Sequence, residues 1–340
     1  MDSLHYLQQP LPCLVLRASS DIIRARIQAL AELAGIDIRL AGPTDTSHSG
    51  VLLFEEEYGM KVPSIRASFH PSYASYFAEG SLVLDVEEEA GDILELMIAA
   101  GATSRGTVIG LLGSHGGVGT TTLACTLAHI VSAADATQSI ALMDCDPLST
   151  GIETWCGLST PGINWADLSE KTGTLVPGRL AKALPGRGNL HVLSADERAG
   201  MPVRGELPSR AITALSQSHD MTLMDFPRSI VMDNTELLSW CDTLILVTDT
   251  SPHAVPGSRR TLAFLKEHYP QIPLILAVNR VSGGAQAASI AYDIGVDTIA
   301  PIRLARTLTK DLEHGVPLGE RHRSGMYKDI ARLATMLEGC

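Results

Sequence analysis

The stretch best suited to chemistry in this 340-residue chain is Gly113-Ser114-His115-Gly116-Gly117-Val118-Gly119-Thr120-Thr121-Thr122. Its glycines let backbone N–H groups approach an anion closely, and a helix starting just after them would add partial positive charge. Gly116, Gly117, Val118, Gly119, Thr120, Thr121 and Thr122 are therefore the candidate phosphate-binding residues. A standard loop of this kind carries a lysine immediately before the Ser/Thr that holds Mg²⁺. Here Thr120 fills the lysine slot and Thr121 the magnesium slot. A glycine turn that only packs helix against strand is the competing reading, and the loop taken alone does not separate the two.

The elements needed to position such a loop are present. Thr107 to Leu112 is a short branched apolar run that reads as a buried strand, and Thr121 to Val131 carries a helical pattern, so the glycines fall at a strand-to-helix turn. Ser139 to Met143 reads as a second buried strand ending in Asp144-Cys145-Asp146-Pro147, and Met221 to Met224 as a third ending in Asp225-Phe226-Pro227. Carboxylates at the carboxyl ends of parallel strands face the crevice in which open α/β sheets bind ligands. There they can hold Mg²⁺ and its waters or orient an attacking water. A helix cap or turn is the ordinary role of a single Asp-Pro. Three such features in this order favour a site.

With these motifs the chain resembles the deviant Walker A ATPases of the ParA/MinD group over roughly Gly106 to Cys340. The group's loop is followed by a D-x-D-P switch I and an apolar strand ending D-x-P at switch II. The match continues through Thr243 to Thr248 with Ser251-Pro252, Ile272 to Arg280, and Ile299-Ala300-Pro301. The resemblance implies a P-loop NTPase-like, mostly parallel sheet flanked by helices, and ATP or ADP with Mg²⁺ as the bound group. It implies Asp146 as the catalytic, water-orienting residue and Thr121, Asp144 and Asp225 at the metal. It also places Asn279 and the segment around Pro301 beside the adenine.

The departures concern charge. His115 replaces the group's signature lysine, which reaches across a nucleotide-sandwich dimer, and Thr120 replaces the ordinary loop lysine. Arg228 and Ser229 stand where the group usually has Pro and Gly. A charge-assisted hydrogen bond contributes on the order of 1.5–3 kcal/mol, so loss of two lysines would weaken triphosphate binding by several powers of ten. Loss of a preorganised donor to transition-state charge costs about 10²- to 10³-fold in rate. Hydrolysis is accordingly expected to be weak or absent. His115 and Arg228 are the candidates for a compensating phosphate contact. A solvent-facing loop histidine is the alternative for His115.

Composition sets the remaining bounds. A hydrophobic content of 45% with 4% aromatic residues describes a packed α/β protein, and the length suggests two domains, read as 1–104 and 105–340. No apolar run approaches the ~18 residues that span a bilayer. The N-terminus lacks the pattern of a signal peptide, so a cytoplasmic location is expected, with membrane association only through partners. Cys13, Cys125, Cys145, Cys156, Cys241 and Cys340 form no C-x-x-C pair, which argues against a zinc site or disulfide framework. The net charge of −12 is concentrated in residues 1–104, which hold 6 Lys+Arg against 15 Asp+Glu. Small clusters such as Arg259-Arg260 and Arg321-His322-Arg323 read as solvated surface, which argues against nucleic acid as a partner. The amphipathic stretch Met326 to Leu337 carries only Lys328 and Arg332 as basic residues, and reads as an internal or partner-facing helix rather than a membrane anchor.

Residues 1–104 read as a small flavodoxin-like unit. Strands are expected at Cys13–Leu16, Ile36–Leu40, Val51–Phe54 and Leu82–Leu84. Helices are expected at Asp21–Ala34, closed by Gly35, and at Glu88–Ala100. By fold analogy the unit is similar to a shortened receiver domain. Arg17-Ala18-Ser19-Ser20 and Glu55-Glu56-Glu57 replace the acidic pair and phosphorylatable aspartate that a working receiver needs. Docking or dimerisation is the expected use, with the acidic runs either facing a basic partner or simply solvated. A degenerate receiver followed by a ParA/MinD-like domain resembles the CpaE/TadZ and septum-site-determining-like proteins, which position Tad/Flp pilus or secretion machinery or act in septum-site selection. That resemblance implies a homodimer whose N-terminal domain recruits partners such as a secretion or pilus ATPase. A nucleotide-free dimeric scaffold and a true MinD-like membrane-cycling ATPase are the alternatives.

Overall fold

The computed structural model describes residues 14–34, 36, 38–42, 52–69, 82–101, 105–158, 161–170, 175–203, 205–230 and 235–337. Cys13, Gly35, Val51 and Cys340 lie outside them. Contacts divide the chain into two units, one of residues 1–105 with 175–182 and one of 106–174 with 183–340.

In the first unit, β1 (Leu14–Arg17), β2 (Ile38–Leu40), β3 (Leu52–Glu56), β4 (Ser64–Phe69) and β5 (Leu82–Asp85) form one sheet in the order β2-β1-β3-β4-β5. The pairs β1–β2 and β1–β3 are parallel, as a flavodoxin-like unit requires, and α1 (Asp21–Ala34) supplies the crossover between β1 and β2. The rest differs from an all-parallel sheet, because β3–β4 and β4–β5 are antiparallel. For β3–β4 the physical reason is connection length: residues 57–63 are enough for a hairpin and too few for a crossover helix. The strand β4 was not expected from the sequence; its alternation of buried Ile65 and Ala67 with half-buried Arg66 and Ser68 is that of a strand with one face on the core. Ile23, Ile27 and Leu30 of α1 share a core with Ile93 and Met97 of α2 (Ala90–Gly101) and with Leu14, Leu16 and Phe54 of the sheet.

The acidic run at the end of β3 is spent within its own unit. Arg17 pairs with Glu55 at 2.8 Å, and Arg66 with Glu57 at 2.8 Å. The Glu56 carboxylate accepts the backbone N–H and hydroxyl of Ser19, at 2.6 and 2.7 Å, and the N–H of Ser20 at 3.1 Å.

The second unit is built on eight strands in the order β13-β12-β11-β6-β10-β7-β9-β8. They are β6 (Thr107–Gly113), β7 (Ile140–Asp144), β8 (Gly186–Arg187), β9 (Leu190–Leu193), β10 (Met221–Phe226), β11 (Thr243–Thr248), β12 (Leu274–Val281) and β13 (Ile299–Arg303). All neighbours are parallel except the β8–β9 hairpin. The central strands β6, β7, β10 and β11 are almost continuously apolar, as strands covered on both faces must be. One face packs on α3 (Thr120–Ala134) and α10 (Gly325–Leu337), through Leu123, Leu127, Ile330 and Leu333 against Ile109, Leu223 and Ile245. The opposite face, at Leu246, Leu276 and Val278, meets α7 (Ala254–His268) and α8 (Gly284–Ile294) through Leu262, Ala287 and Ala291. The short helices α4 (Trp165–Ser169), α5 (Pro177–Ala183) and α9 (Leu308–Glu313), and the longer α6 (Leu207–Ser218), complete the α-helices among the described residues, with a 3-10 helix at Thr235–Trp240. The amphipathic C-terminal stretch is thus an internal helix whose apolar face lies on α3 and the sheet. No helix among the described residues is long and apolar enough to cross a membrane.

Buried polar groups away from the crevice carry their own pH signature. The Nδ1 atom of buried His219 lies 3.0 Å from the Leu215 carbonyl, which can only accept, so Nδ1 carries the proton. His219 Nε2 then accepts from His191 Nδ1 at 3.0 Å. Burial lowers the His219 pKa to about 4. The folded protein therefore resists protonation that the unfolded chain accepts below about pH 6.5, and stability falls as pH drops from about 6.5 towards 4. Over that window the loss expected is roughly 3 kcal/mol. Urea melts at pH 7 and pH 5, compared between wild type and His219→Asn, test this; equal pH slopes in both proteins would exclude His219 as the cause.

Candidate functional site

The carboxyl ends of β6, β7 and β10 meet where the strand order places β6 and β7 on either side of β10. This crevice is a pocket of about 350 Å³, lined by Gly113, His115 to Thr122, Asp146, Trp155, Asp225 to Arg228 and Arg280. Each candidate of the glycine loop lines it, as do Asp146, Asp225, His115 and Arg228.

The loop's shape follows from its glycines. Gly117 and Gly119 have φ of 73° and 98°, in the left-handed region where a Cβ is strained. Gly119 caps α3 directly, and a Cβ placed on it would stand 2.7 Å from the Asn279 amide nitrogen. That nitrogen donates to the Val118 carbonyl at 2.9 Å. Asn279, assigned above to the adenine side by resemblance, is thus in contact with the phosphate loop. Thr120 turns its hydroxyl back along the loop, where a Cβ on Gly113 would come within 2.6 Å of it. Pro301 pairs with Val278 in β13 and does not line this pocket.

The metal candidates converge. The Thr121 hydroxyl stands beside the Asp225 carboxylate and favours its charged form, and Asp225 lies close enough to Asp144 and Asp146 to be repelled by both. Burial, with those two negative neighbours, pushes the Asp225 pKa up to about 7. Asp144 is likewise raised by burial, although the Asp146 N–H and the Ser194 hydroxyl hydrogen-bond its carboxylate. Ser194 Oγ donates to Asp144 at 3.2 Å, and Trp165 Nε1 donates to the Asp144 carbonyl at 2.8 Å, which fixes the end of β7 from β9 and α4. Asp146 is half-buried, and its carboxylate accepts the Leu148 N–H at 2.8 Å. Two buried carboxylates with one hydroxyl and no lysine or arginine bonded to them form a hard oxygen set short of positive charge. That donor chemistry fits Mg²⁺.

His115 is held inside its own chain. Its Nε2 lies 3.1 Å from the buried Asp249 carboxylate and its Nδ1 lies 3.0 Å from the Gly116 carbonyl. Asp249, just past the end of β11, also receives the Ser251 N–H at 2.9 Å and the Arg280 guanidinium at 2.9 Å. Burial works to raise the Asp249 pKa, but the bonds from Ser251 and His115 outweigh it and hold the carboxyl below its usual range. Arg228 is exposed at the pocket rim.

Asp249, Arg280, Ser194 and Trp165 were not singled out in the sequence. For Asp249 a signal existed, since it follows an apolar strand as Asp144 and Asp225 end theirs. Arg280 carried none, because its placement depends on a break in strand register.

A glycine loop between a central strand and a helix, with carboxylates at the ends of the adjacent strand β10 and of β7 beyond it, defines a P-loop α/β protein. No protein-family model matches the chain. Over 262 residues, 75% of its length, it is 29% identical to the uncharacterized protein Rv3660c of Mycobacterium tuberculosis H37Rv, covering 72% of that protein. Among solved structures it is similar to a ParA family ATPase from Chlorobium tepidum, with 20% identity, TM-score 0.57, and coverage of 68% of this chain and 99% of that one. The septum site-determining protein MinD of Pyrococcus horikoshii, complexed with Mg-ADP, gives 17% identity and TM-score 0.56 over 68% of this chain and 96% of that one. The large sheet with its flanking helices is therefore the ParA/MinD type of P-loop fold, and a further small sheet belongs to the N-terminal unit.

Proposed function

We propose that the chain is a ParA/MinD-like nucleotide-binding localisation factor of the CpaE/TadZ type, positioning a pilus or secretion apparatus or acting in septum-site selection, with hydrolysis weak or absent. The observation that carries the nucleotide half of this reading is the Thr121–Asp225 contact beside Asp144 and Asp146, at the mouth of a glycine loop whose backbone has the left-handed turns that aim N–H groups at an anion. When bound, Mg²⁺ would be held by Thr121 and Asp225 with Asp144 close by, and would supply the positive charge that the carboxylates lack. Asp146, half-buried and on the pocket wall, would orient a water. The missing lysines at positions 115 and 120 remove the groups that would neutralise transferring phosphate, so binding without efficient turnover is the expected behaviour.

The similarity to a MinD complexed with Mg-ADP supports the choice of ligand, and the similarity to ParA and MinD proteins supports a localisation role; the homodimer follows from the resemblance to the CpaE/TadZ type. The N-terminal unit would then recruit the partner, for which a secretion or pilus ATPase is the candidate. A nucleotide-free scaffold is the second reading. It is disfavoured by Asp144 and Asp225, because two buried carboxylates cost stability and serve nothing in a scaffold. Isothermal titration of the purified protein with Mg·ADP and Mg·ATP, with Asp225→Ala as control, tests the proposal. Binding lost in the variant supports it, and no heat at millimolar nucleotide would favour the scaffold.

A further inference from the structure

The phosphate pocket lacks lysine, yet it is not without a cation aimed at the loop. Strand β12 pairs regularly with β13 as far as Val278 and resumes, shifted, at Val281. Asn279 and Arg280 occupy the break, and Arg280 has φ of 59°, the one non-glycine residue with positive φ among the described residues. Bulges of this kind re-aim side chains beside functional sites, and a bulky residue in the left-handed region is held there only by its surroundings. The break turns Arg280 onto the loop. One guanidinium nitrogen donates to the Gly117 carbonyl at 2.8 Å and the other terminal nitrogen to Asp249 at 2.9 Å. Two of the five N–H donors of the fork are engaged in this way, and the side chain is 45% exposed within the pocket lining.

We infer that Arg280 is the phosphate-binding cation of this site, supplied from β12 in the same chain in place of the loop lysines. Three observations converge on it. The cationic or potentially cationic side chains among the pocket-lining residues are His115, Arg228 and Arg280. His115 is bonded to Asp249 and Gly116, and Arg228 is exposed at the rim. Arg280 alone of the three is fixed to the loop backbone while keeping donors to spare, and an arginine fork matches phosphate geometry in two-point contact. Asp249 serves as its counter-charge in the absence of an anion, and a bound phosphate would share the guanidinium with it. This rests on the nucleotide reading for the identity of the ligand and on the pocket's own charges for the site.

The test uses two probes, inorganic pyrophosphate and Mg·ADP, titrated calorimetrically into the full chain, with thermal melts to verify folding. Arg280→Asn is the informative variant, because asparagine tolerates positive φ while removing the guanidinium, and the melts report whether loss of its bonds to Gly117 and Asp249 harms the fold. It is expected to bind both probes roughly 10- to 100-fold more weakly than wild type, with Arg280→Lys in between. Asp249→Asn is expected to bind as tightly as wild type or several-fold more tightly, since the counter-charge competing for the fork is gone. Unchanged pyrophosphate affinity in Arg280→Asn would overturn the inference. So would an Asp249→Asn variant as weak as Arg280→Asn, which would reduce the arginine to a loop brace. Wild type that binds pyrophosphate but not Mg·ADP would remove the nucleotide reading and leave the arginine site standing, whereas binding of neither would end both.

Discussion

Replacing Asp225 with asparagine is expected to raise the melting temperature of the ligand-free protein at pH 8 and, in the same variant, to abolish Mg²⁺-dependent nucleotide binding. Asp225 is 4% exposed, stands beside the Thr121 hydroxyl, and faces the charges of Asp144 and Asp146. Burial first, and those charges second, move its pKa from 3.8 to about 7. Below pH 3.8 the carboxyl is protonated in folded and unfolded chains alike. Between 3.8 and about 7 the folded state holds a proton that the unfolded chain releases, so stability falls as pH rises through that window. Above it the full cost is present, roughly 4 kcal/mol. Asparagine keeps the shape and removes the charge, and the melting temperature at pH 8 should rise by about 5–10 °C. The difference between variant and wild type should shrink steadily towards pH 4. His219 imposes the opposite slope over part of this range, but it does so in both proteins and cancels in the comparison. A variant that melts at or below the wild-type temperature at pH 8 would mean that the carboxylate is already neutralised by something other than a metal.

The stability cost at Asp225 has a functional sense. Structural residues are selected for what they add to the folded state, and a buried, mutually repelling pair such as Asp144 and Asp225 adds nothing unless a cation joins it. The same reasoning explains which parts of this site could be read without coordinates. Strand β6, the glycine turn, α3 and the strands ending at Asp144 and Asp225 are each local patterns, an apolar run followed by a characteristic residue, and local patterns survive in sequence. The position of β4 was not legible, because its alternation is short and its pairing with β3 is decided by a seven-residue connection rather than by its own residues. Arg280 was not legible either. It sits in what reads as the polar end of an apolar strand, and only the register break between Val278 and Val281 turns it to the loop. Asp249 lies between: its place after β11 was readable, but its bonds to His115 and Arg280 join residues 134 and 31 positions apart. His115 shows the limit of motif matching most clearly. Position 115 matches that of a residue that reaches across a dimer in the resembling family, yet in this chain the side chain is bound to its own Asp249.

Restoring the lysine at the loop, Thr120→Lys, is expected to strengthen Mg·ATP binding by roughly 10- to 100-fold, the contribution of a charge-assisted hydrogen bond or two. Thr120 begins α3, is half-buried and lines the pocket, so a longer stem there leaves past Gly113 into the space that phosphate would occupy. The gain should depend on Arg280. Where the arginine already neutralises the phosphates, a second cation adds less; in an Arg280→Asn background the lysine meets an uncompensated anion and should add more. A double-mutant cycle on these two positions measures that coupling directly, and an interaction below about twofold would mean that lysine and arginine serve different atoms. Turnover supplies the second readout. A donor aimed at developing phosphate charge contributes about 10²- to 10³-fold in rate, so Thr120→Lys should turn a binding protein into a slow ATPase. That activity should vanish again in Thr120→Lys with Asp146→Asn, since Asp146 is the carboxylate on the pocket wall free of the buried Thr121–Asp225 contact. If the lysine raises affinity and leaves hydrolysis undetectable, the loop has kept the geometry of binding and lost that of the reaction, and the nucleotide acts on this fold purely as a ligand.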